Sequence, residues 1–309
     1  MFFSKSDKLL FYAILPLIAG VLGILLILSF VILTQSWPSF QRFGLALFTE
    51  NAWSPSSDPQ KEFYGLSAPI VSSLYVSTLS VLISIPISIC LTLTLIEILP
   101  NQLGTPLRYV TEVMGGLPTV IYGLWGSTIL TPLLRDQVMK PLHDFLGFIP
   151  IFSCRPLTGH SILTASITLA VATTPYVTAL FIEGYHLIPS KYKEGAYSLG
   201  ATDYEAYKIM IGILKPYIIA ASLLGFSRAL GETTIVALTV GNSMRFSLCL
   251  FDPVHTIPSL IANQFESARL YEYALPALFA GALVLLIISL IASYFGIRLI
   301  YGWRERIHV

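Results

Sequence analysis

The chain alternates between long apolar stretches and shorter polar ones. The first apolar stretch, residues 11–33, carries no charge, and no small-residue cleavage site follows it in Thr34-Gln35-Ser36-Trp37. Because about 20 apolar residues cross the hydrocarbon core of a bilayer, this stretch predicts a retained transmembrane helix rather than a signal peptide. Five further stretches predict an all-α integral membrane protein with six spans, the others being 70–96, 113–134, 160–182, 216–240 and 274–297.

The distribution of lysine and arginine predicts the orientation of these spans. Six spans place both termini on one side. Ten basic residues fall on that side, seven fall in the loops of the other side, and Arg228 falls within the fifth span. Cytoplasmic loops carry the excess of positive charge, so both termini are expected in the cytoplasm. Residues 1–69 then form the first helix and a periplasmic loop, 70–300 form the remaining five spans, and 301–309 form a cytoplasmic tail.

Composition supports a membrane protein and excludes several other classes. Charged residues make up 11% of the chain, hydrophobic residues 55%, and the mean hydropathy is +0.75. The net charge of +1 leaves no basic surplus for binding nucleic acid. The five histidines and three cysteines show no metal-ligand spacing, so no metal site is expected. Cys154 and Cys249 both fall in predicted outer loops, where they could form a disulfide or remain free; sequence spacing does not decide between these.

The longest polar segment on the predicted cytoplasmic side is 183–215. Ser190 is a candidate N-cap for a short helix over 191–199, and Gly200 suits a helix end that needs a positive φ. Thr202 and Glu205 have the spacing of a capping box that opens a second helix over 203–212. Local physics favours equally a compact structure for docking a partner and a connector lying on the bilayer surface.

The fifth span carries two opposite charges, Arg228 and Glu232, followed by Thr233. Ionisable residues within a membrane helix are costly, and the i, i+4 spacing places both on one helical face, where they can pair. One interpretation is a structural ion pair. The other is a substrate gate, in which Arg228 binds an oxyanion and Glu232 accepts a hydrogen bond from one that carries a proton. Phosphate carries such a proton near neutral pH and sulfate does not, so the gate would favour phosphate.

Two other features bear on a transport pathway. Gly116 and Pro118 interrupt the start of the third span, which predicts either a broken helix beside a pathway or a proline in the first turn of a helix. Glu97 and Glu183 end two spans at the cytoplasmic side, where solvation at the interface is the expected role.

The polar segment also carries a motif. Glu194-Gly195-Ala196-x3-Gly200 resembles the Glu-Ala-Ala-x3-Gly loop of ABC importer permeases, which inserts into a cleft of the ATPase subunit. It departs from that loop at Gly195, and at Gly212-Ile213 in place of the usual Leu-Pro. The chain itself has no Gly-Lys-Ser/Thr phosphate loop, since none of its lysines follows a glycine. ATP and magnesium are therefore expected on a partner ATPase, with no cofactor and no catalysis in this chain.

Three further runs carry a closer resemblance: Arg228-Ala-Leu-Gly-Glu-Thr233, Gly116-Leu-Pro-Thr-Val-Ile-Tyr-Gly-Leu-Trp-Gly126, and Trp53-x-Pro55 before Tyr64-Gly65. The chain is similar in these to the phosphate importer permeases of the PstC type over roughly 50–300. The resemblance implies a type 1 importer membrane domain with an extra N-terminal helix, in a bacterial inner membrane. It also implies three partners: a second permease (PstA-like), an ATPase dimer (PstB-like) and a phosphate-binding protein (PstS-like). The alternatives are a permease for sulfate or molybdate, and a membrane sensor or scaffold.

Overall fold

The computed structural model describes residues 5–307, with the backbone alone at 5–13 and 101. Within this range the chain is almost entirely helical. The helices are α1 (Lys5–Phe43), α2 (Ala46–Thr49), α3 (Ser67–Leu93), α4 (Asn101–Gly116), α5 (Thr119–Trp125), α6 (Thr131–Leu134), α7 (Lys140–Leu146), α8 (Ile162–His186), α9 (Lys191–Ser198), α10 (Asp203–Leu230), α11 (Thr234–Thr239), α12 (Ile257–Ala268) and α13 (Ala274–Ile307). Two short strands, β1 (Trp53–Ser54) and β2 (Phe63–Tyr64), pair antiparallel.

Five helices, α1, α3, α8, α10 and α13, are long and apolar enough to cross a membrane. A sixth candidate is the pair Gln102–Gly116 and Thr119–Leu146, which is bent by 93° at a short break. The expected all-α membrane fold is therefore confirmed, and the expected six spans are reached when the bent pair counts as one. We call the face with both described chain ends and α9 the terminal face, and the face with β1 and β2 the opposite face.

The third predicted span, 113–134, differs from the structure. Its first residues are the end of α4, a helix that begins at Asn101. Its later residues form α5, a π-helical turn at Gly126–Leu130 and α6, and a second π-helical turn at Arg135–Met139 follows the predicted span. A single straight helix is therefore wrong. The reason is local: Pro118 takes an extended conformation with ψ 132°, which no α-helix accommodates, and Leu117 before it is extended as well.

The fifth predicted span, 216–240, is also not one helix. Helix α10 starts much earlier, at Asp203, because the predicted capping box forms: the Thr202 backbone N–H donates to Glu205 at 2.8 Å and the Glu205 N–H donates to Thr202 Oγ1 at 3.4 Å. It ends at Leu230, and α11 begins at Thr234 after a break. The second short helix predicted for the docking segment and the membrane span are thus one continuous helix.

Within the predicted tail 301–309, residues 301–307 form the last turns of α13; His308 and Val309 lie outside the described residues. These turns are held against α10. Trp303 is buried, its indole N–H donates to the Ile213 carbonyl at 2.8 Å, and its ring packs on Tyr217 at 5.0 Å. The first predicted helix, 11–33, likewise extends at both ends to Lys5–Phe43.

The centre of the bundle is the packing of α3 on α8, through small polar residues. Buried serines recur along α3 and buried threonines along α8. Their size lets the two backbones approach, so that Ser88 Oγ donates across to the Thr174 carbonyl at 3.3 Å and Ser166 Oγ to the Val76 carbonyl at 3.3 Å. Small hydroxyl residues of this kind hold membrane helices together where no hydrophobic force acts between them.

The opposite face is tied together by Glu62 and by a disulfide. The buried Glu62 carboxylate accepts hydrogen bonds from Tyr64 Oη at 2.9 Å and from the backbone N–H groups of Glu272 and Tyr273 at 3.1 Å each. Burial, and then this carboxylate, raise the pKa of Tyr64. The disulfide joins Cys154 to Cys249, so of the two arrangements left open by the sequence the structure has the bonded one.

Candidate functional site

A hydrogen bond bridges the break between α4 and α5. The Tyr122 hydroxyl donates to the Met114 carbonyl at 2.7 Å, which fixes the start of α5 across the end of α4. Pro118 is the N-cap of α5, so it precedes the first turn of that helix and does not lie within it. The predicted broken helix is present, with a bend of 93°, and its place beside a pathway stays a prediction. Gly116 ends α4 with open space where a Cβ would lie, so packing does not demand glycine there.

The later glycines of the same motif bring α5 against the residues of the other break. A Cβ on Gly123 would lie 3.3 Å from the Thr234 carbonyl oxygen and 3.4 Å from Ile235 Cα. A Cβ on Gly126 would lie 2.6 Å from Thr168 Oγ1 on α8. Sequence reasoning treated these glycines only as part of a resemblance. The structure shows that they allow α5 to pack directly on α11 and α8.

The predicted pairing of Arg228 with Glu232 on one helical face is wrong. Arg228 lies in the last turn of α10, but Glu232 lies beyond the end of that helix. The turn tightens because the Gly231 N–H donates to the Arg228 carbonyl and the Glu232 N–H to the Ala229 carbonyl, both at 3.2 Å, as three-residue steps. Among residues 5–307 no ion pair within 4.0 Å joins the two side chains.

The three predicted gate residues border three different spaces. Arg228 lines a cavity of about 320 Å³ between α4 and α8, which we call the α4–α8 cavity. Thr233 lines a cavity of about 330 Å³ against α12 and α13. Glu232 borders a crevice of about 10 Å³ with Ser73 and Thr256, room for a single water. These three residues are therefore close in sequence, but their side chains border separate spaces and do not form one site.

The α4–α8 cavity lies in the half of the bundle nearer the terminal face. Its α8 wall runs from Pro175 to Ile182, shortly before α8 ends at His186. The exposed Arg228 guanidinium lies 4.9 Å from the centre of the Tyr176 ring, a cation–π contact that orients it toward the cavity. The cavity wall combines this oriented arginine with both apolar and polar side chains, which suits a small anion.

The segment predicted to dock an ATPase has the expected local form in part. Gly200 has φ +82°, and its N–H donates to the Tyr197 carbonyl at 2.9 Å, so the predicted helix end is confirmed. Ser190 makes no side-chain cap, so that prediction is wrong. Glu194 and Gly195 are exposed, while Ala196 is buried. A Cβ on Gly195 would meet nothing within 4 Å, so the departure from alanine in the resembling motif has no steric consequence.

The turn between α9 and α10 exposes apolar side chains to solvent. Leu199 is 91% exposed and Tyr204 is 74% exposed. The turn itself is held by the Tyr197 hydroxyl, which donates to Asp203 at 2.9 Å, and this bond raises the pKa of Tyr197 to about 12. A rigid turn that presents large apolar residues is a surface that a protein partner could cover.

Glu97 does not lie in solvent at the interface, contrary to the prediction for it. Its side chain is 7% exposed and accepts hydrogen bonds from Tyr185 Oη at 2.6 Å and from Lys193 Nζ. Glu97 lies in the π-helical turn Thr94–Ile98, which follows α3 and places the carboxylate against α9. The two hydrogen bonds together link the end of α3 to α8 and α9. The pairing spans 96 residues of sequence, so no local pattern could have revealed it.

Known proteins resemble the chain over most of its length. Residues 99–301 match the family described as "Binding-protein-dependent transport system inner membrane component". A "Probable phosphate transport system permease protein PstC" from Methanocaldococcus jannaschii is 46% identical over 87% of this chain and 86% of that protein. The protein named "Phosphate transport system permease protein PstC" is 34% identical in Pasteurella multocida, over 84% of this chain and 80% of that protein. In Haemophilus influenzae it is 33% identical, over 83% and 81%.

Proposed function

The chain belongs to the family of binding-protein-dependent transport system inner membrane components, and we propose that it is the permease subunit of an ATP-driven phosphate importer. The observation that carries this proposal is the match to phosphate permeases along at least four fifths of both chains. The structure adds a site of suitable chemistry. Arg228 presents a planar set of donors to a cavity within the membrane-spanning bundle, and such a guanidinium recognises oxyanions by paired hydrogen bonds.

We propose that the terminal face is cytoplasmic and that the α9–α10 turn docks on a separate ATPase. The exposed Leu199 and Tyr204 supply apolar area for that contact, beside the exposed Glu194 and Gly195. Since the chain has no Gly-Lys-Ser/Thr loop, ATP and magnesium would be bound by the partner, and this chain would catalyse no reaction.

The single helix α10 gives this docking a direct mechanical consequence. Asp203 lies at the docking turn and Arg228 near the other end of the same helix, about 37 Å away at 1.5 Å per residue. A displacement of the turn by the ATPase would therefore reach Arg228 along one helix, which contains Pro216 but is not interrupted by a loop. Helix α9 would act on α3 at the same time, through the bond between Lys193 and Glu97.

Two further partners complete the proposed importer. A second permease would cover the exposed apolar side chains of α4 and α5, which include Val113, Leu117, Ile121 and Leu124. A phosphate-binding protein would dock at the opposite face and deliver phosphate there. These partners are proposed from the family and from the names of the relatives.

The decisive experiment uses the complex of both permeases and the ATPase, reconstituted in proteoliposomes with the binding protein. We expect phosphate-loaded binding protein to stimulate ATP hydrolysis and phosphate uptake, and sulfate-loaded protein to stimulate neither. Stimulation by a sulfate- or molybdate-loaded protein alone would overturn the substrate. Failure of any ATPase to co-purify would instead favour a sensor or scaffold.

Two substitutions test the roles of the gate residues in the same assay. Arg228→Gln should abolish uptake because it removes the charged donor, whereas Arg304→Gln, an exposed arginine in the last turn of α13, should leave it unchanged. Glu232→Gln remains the test of the prediction that this carboxylate favours a protonated oxyanion. Unchanged uptake and unchanged preference for phosphate would remove Glu232 from the pathway.

A further inference from the structure

The α4–α8 cavity holds a second arginine that neither the motifs nor the relatives single out. Arg108 of α4 lines the same cavity as Arg228 of α10. Its Nε donates to the Glu112 carboxylate at 3.2 Å, and both side chains are more than half exposed, at 59% and 58%. An arginine has five N–H donors, so this bond leaves its terminal nitrogens available to a ligand in the cavity.

The cavity wall also contains a hydroxyl with no partner. Thr178 is fully buried, yet its Oγ1 makes no hydrogen bond within the described part of the chain. The carbonyl one helical turn before it, that of Thr174, accepts from Ser88 Oγ instead. A buried polar group without a partner is rare in native proteins and costs stability. Thr178 belongs to the wall of the α4–α8 cavity, but its hydroxyl lies beneath the surface, out of reach of a ligand in the cavity.

The charges on the wall favour an anion that carries a proton. Of its charged side chains, Arg108 and Arg228 are cationic and Glu112 is anionic, which leaves one net positive charge. A carboxylate beside two guanidinium groups repels a fully deprotonated oxyanion but accepts a hydrogen bond from a protonated one. The sequence suggested that Glu232 accepts a hydrogen bond from a protonated oxyanion. Glu112 can take this role, because it contacts Arg108 and lines the same cavity as Arg228.

We propose that the α4–α8 cavity is a phosphate-binding site in the half of the pathway nearer the cytoplasm. Arg108 and Arg228 bind the phosphate oxygens from two helices, and Glu112 accepts from the proton of the anion. Glu112 holds Arg108 when the site is empty. This inference rests on the proposed function for the identity of the anion, and it adds Arg108 and Glu112 to the residues that bind it.

The first test measures binding in the purified full-length chain, without partners. Ala179 lines the cavity and is exposed, so Ala179→Cys in a Cys90→Ser background provides a thiol there. We expect inorganic phosphate to slow modification of this thiol by an anionic methanethiosulfonate, and sulfate to protect at least tenfold less well. Arg108→Gln should raise the phosphate concentration needed by about tenfold or more, the loss of one charged contact. Arg304→Gln is the matched control and should change nothing.

Two more variants separate binding from folding. Thr178→Val keeps the shape of the side chain and removes the unpaired hydroxyl beneath the wall, so we expect unchanged or higher thermal stability and unchanged protection by phosphate. Glu112→Gln removes the charge that repels a fully deprotonated oxyanion, so protection by sulfate should rise to within about threefold of protection by phosphate. If phosphate protected the thiol equally well in Arg108→Gln and Arg304→Gln, the site would be overturned. The same conclusion would follow if phosphatidylglycerol nanodiscs protected the thiol and free phosphate did not.

Uptake by the reconstituted complex distinguishes this inference from the proposed function. If the wild-type complex imports no phosphate, the proposed function fails. If it imports phosphate and Arg108→Gln does so with the same rate and the same half-saturating concentration, the cavity site alone fails. We expect Arg108→Gln to lower the maximal rate at least tenfold while Arg304→Gln remains at the wild-type rate.

Discussion

Two buried carboxylates at opposite ends of the molecule are held in different ways. Glu62 at the opposite face accepts two of its three hydrogen bonds from backbone N–H groups, those of Glu272 and Tyr273. Glu97 at the terminal face accepts both of its bonds from side chains, Tyr185 on α8 and Lys193 on α9. A backbone donor moves only with its segment, whereas a lysine can follow its helix through several rotatable bonds.

The difference indicates which end of the molecule is fixed and which can adjust. The opposite face adds a disulfide and the packing of β1 and β2 to the bonds of Glu62. The terminal face relies on long side chains and on the exposed turn between α9 and α10. This arrangement suits the proposed function, in which an ATPase moves the terminal face against a fixed opposite face. Four measurements test the contrast.

The largest loss of stability is expected from Glu62→Ala. The substitution leaves the Tyr64 hydroxyl and two backbone N–H groups without an acceptor in a buried place, which costs about 3–5 kcal/mol in total. Denaturant unfolding in detergent measures it. Glu266→Ala, at an exposed position of α12, is the control and should cost less than about 0.5 kcal/mol. Equal losses in the two variants would mean that Glu62 does not fix this face.

Removal of the disulfide should come next. The double variant Cys154→Ser with Cys249→Ser is expected to lose about 2–4 kcal/mol, because the bond constrains the unfolded chain across 95 residues. Cys90→Ser removes the free cysteine and should have little effect. The same unfolding assay with and without reductant measures both. A reductant effect that persists in the double variant would rule out this bond as its source.

The third expected effect is a pH dependence at the opposite face. Burial lowers the pKa of His255 to about 4 in the folded chain, against about 6.5 for an exposed histidine. The unfolded chain therefore binds the proton first, so stability is full above pH 6.5 and falls by about 3 kcal/mol as the pH drops to 4. His255→Gln should flatten this part of the profile, and His186→Gln, which is exposed, should not.

The smallest loss of stability but a clear functional effect is expected from Glu97→Gln. The amide keeps the shape and one acceptor, so stability should fall by about 1 kcal/mol. The charged bond to Lys193 is lost, and with it the link from α9 to α3. The number of phosphate ions imported per ATP hydrolysed should fall severalfold. Glu183→Gln, at an exposed carboxylate on α8, is the control and should keep the wild-type ratio.

Much of this protein follows from its sequence alone. The uncharged stretch 11–33 and the later apolar stretches determine an all-α membrane protein, because backbone groups in hydrocarbon must be satisfied within a helix. Thr202 and Glu205 determine where α10 begins, and Gly200 where α9 ends, since these bonds are local. The motifs around Arg228 and Pro118 determine the resemblance to the family.

Only the tertiary structure decided which residues share a site. Local spacing placed Arg228 with Glu232, but the helix ends between them, and the carboxylate that lies on the cavity of Arg228 is Glu112 from another helix. Glu97 meets Lys193 only because a π-helical turn and a separate helix converge. Such contacts depend on how helices pack across about a hundred residues of chain. Sequence periodicity records the faces of single helices and not their partners.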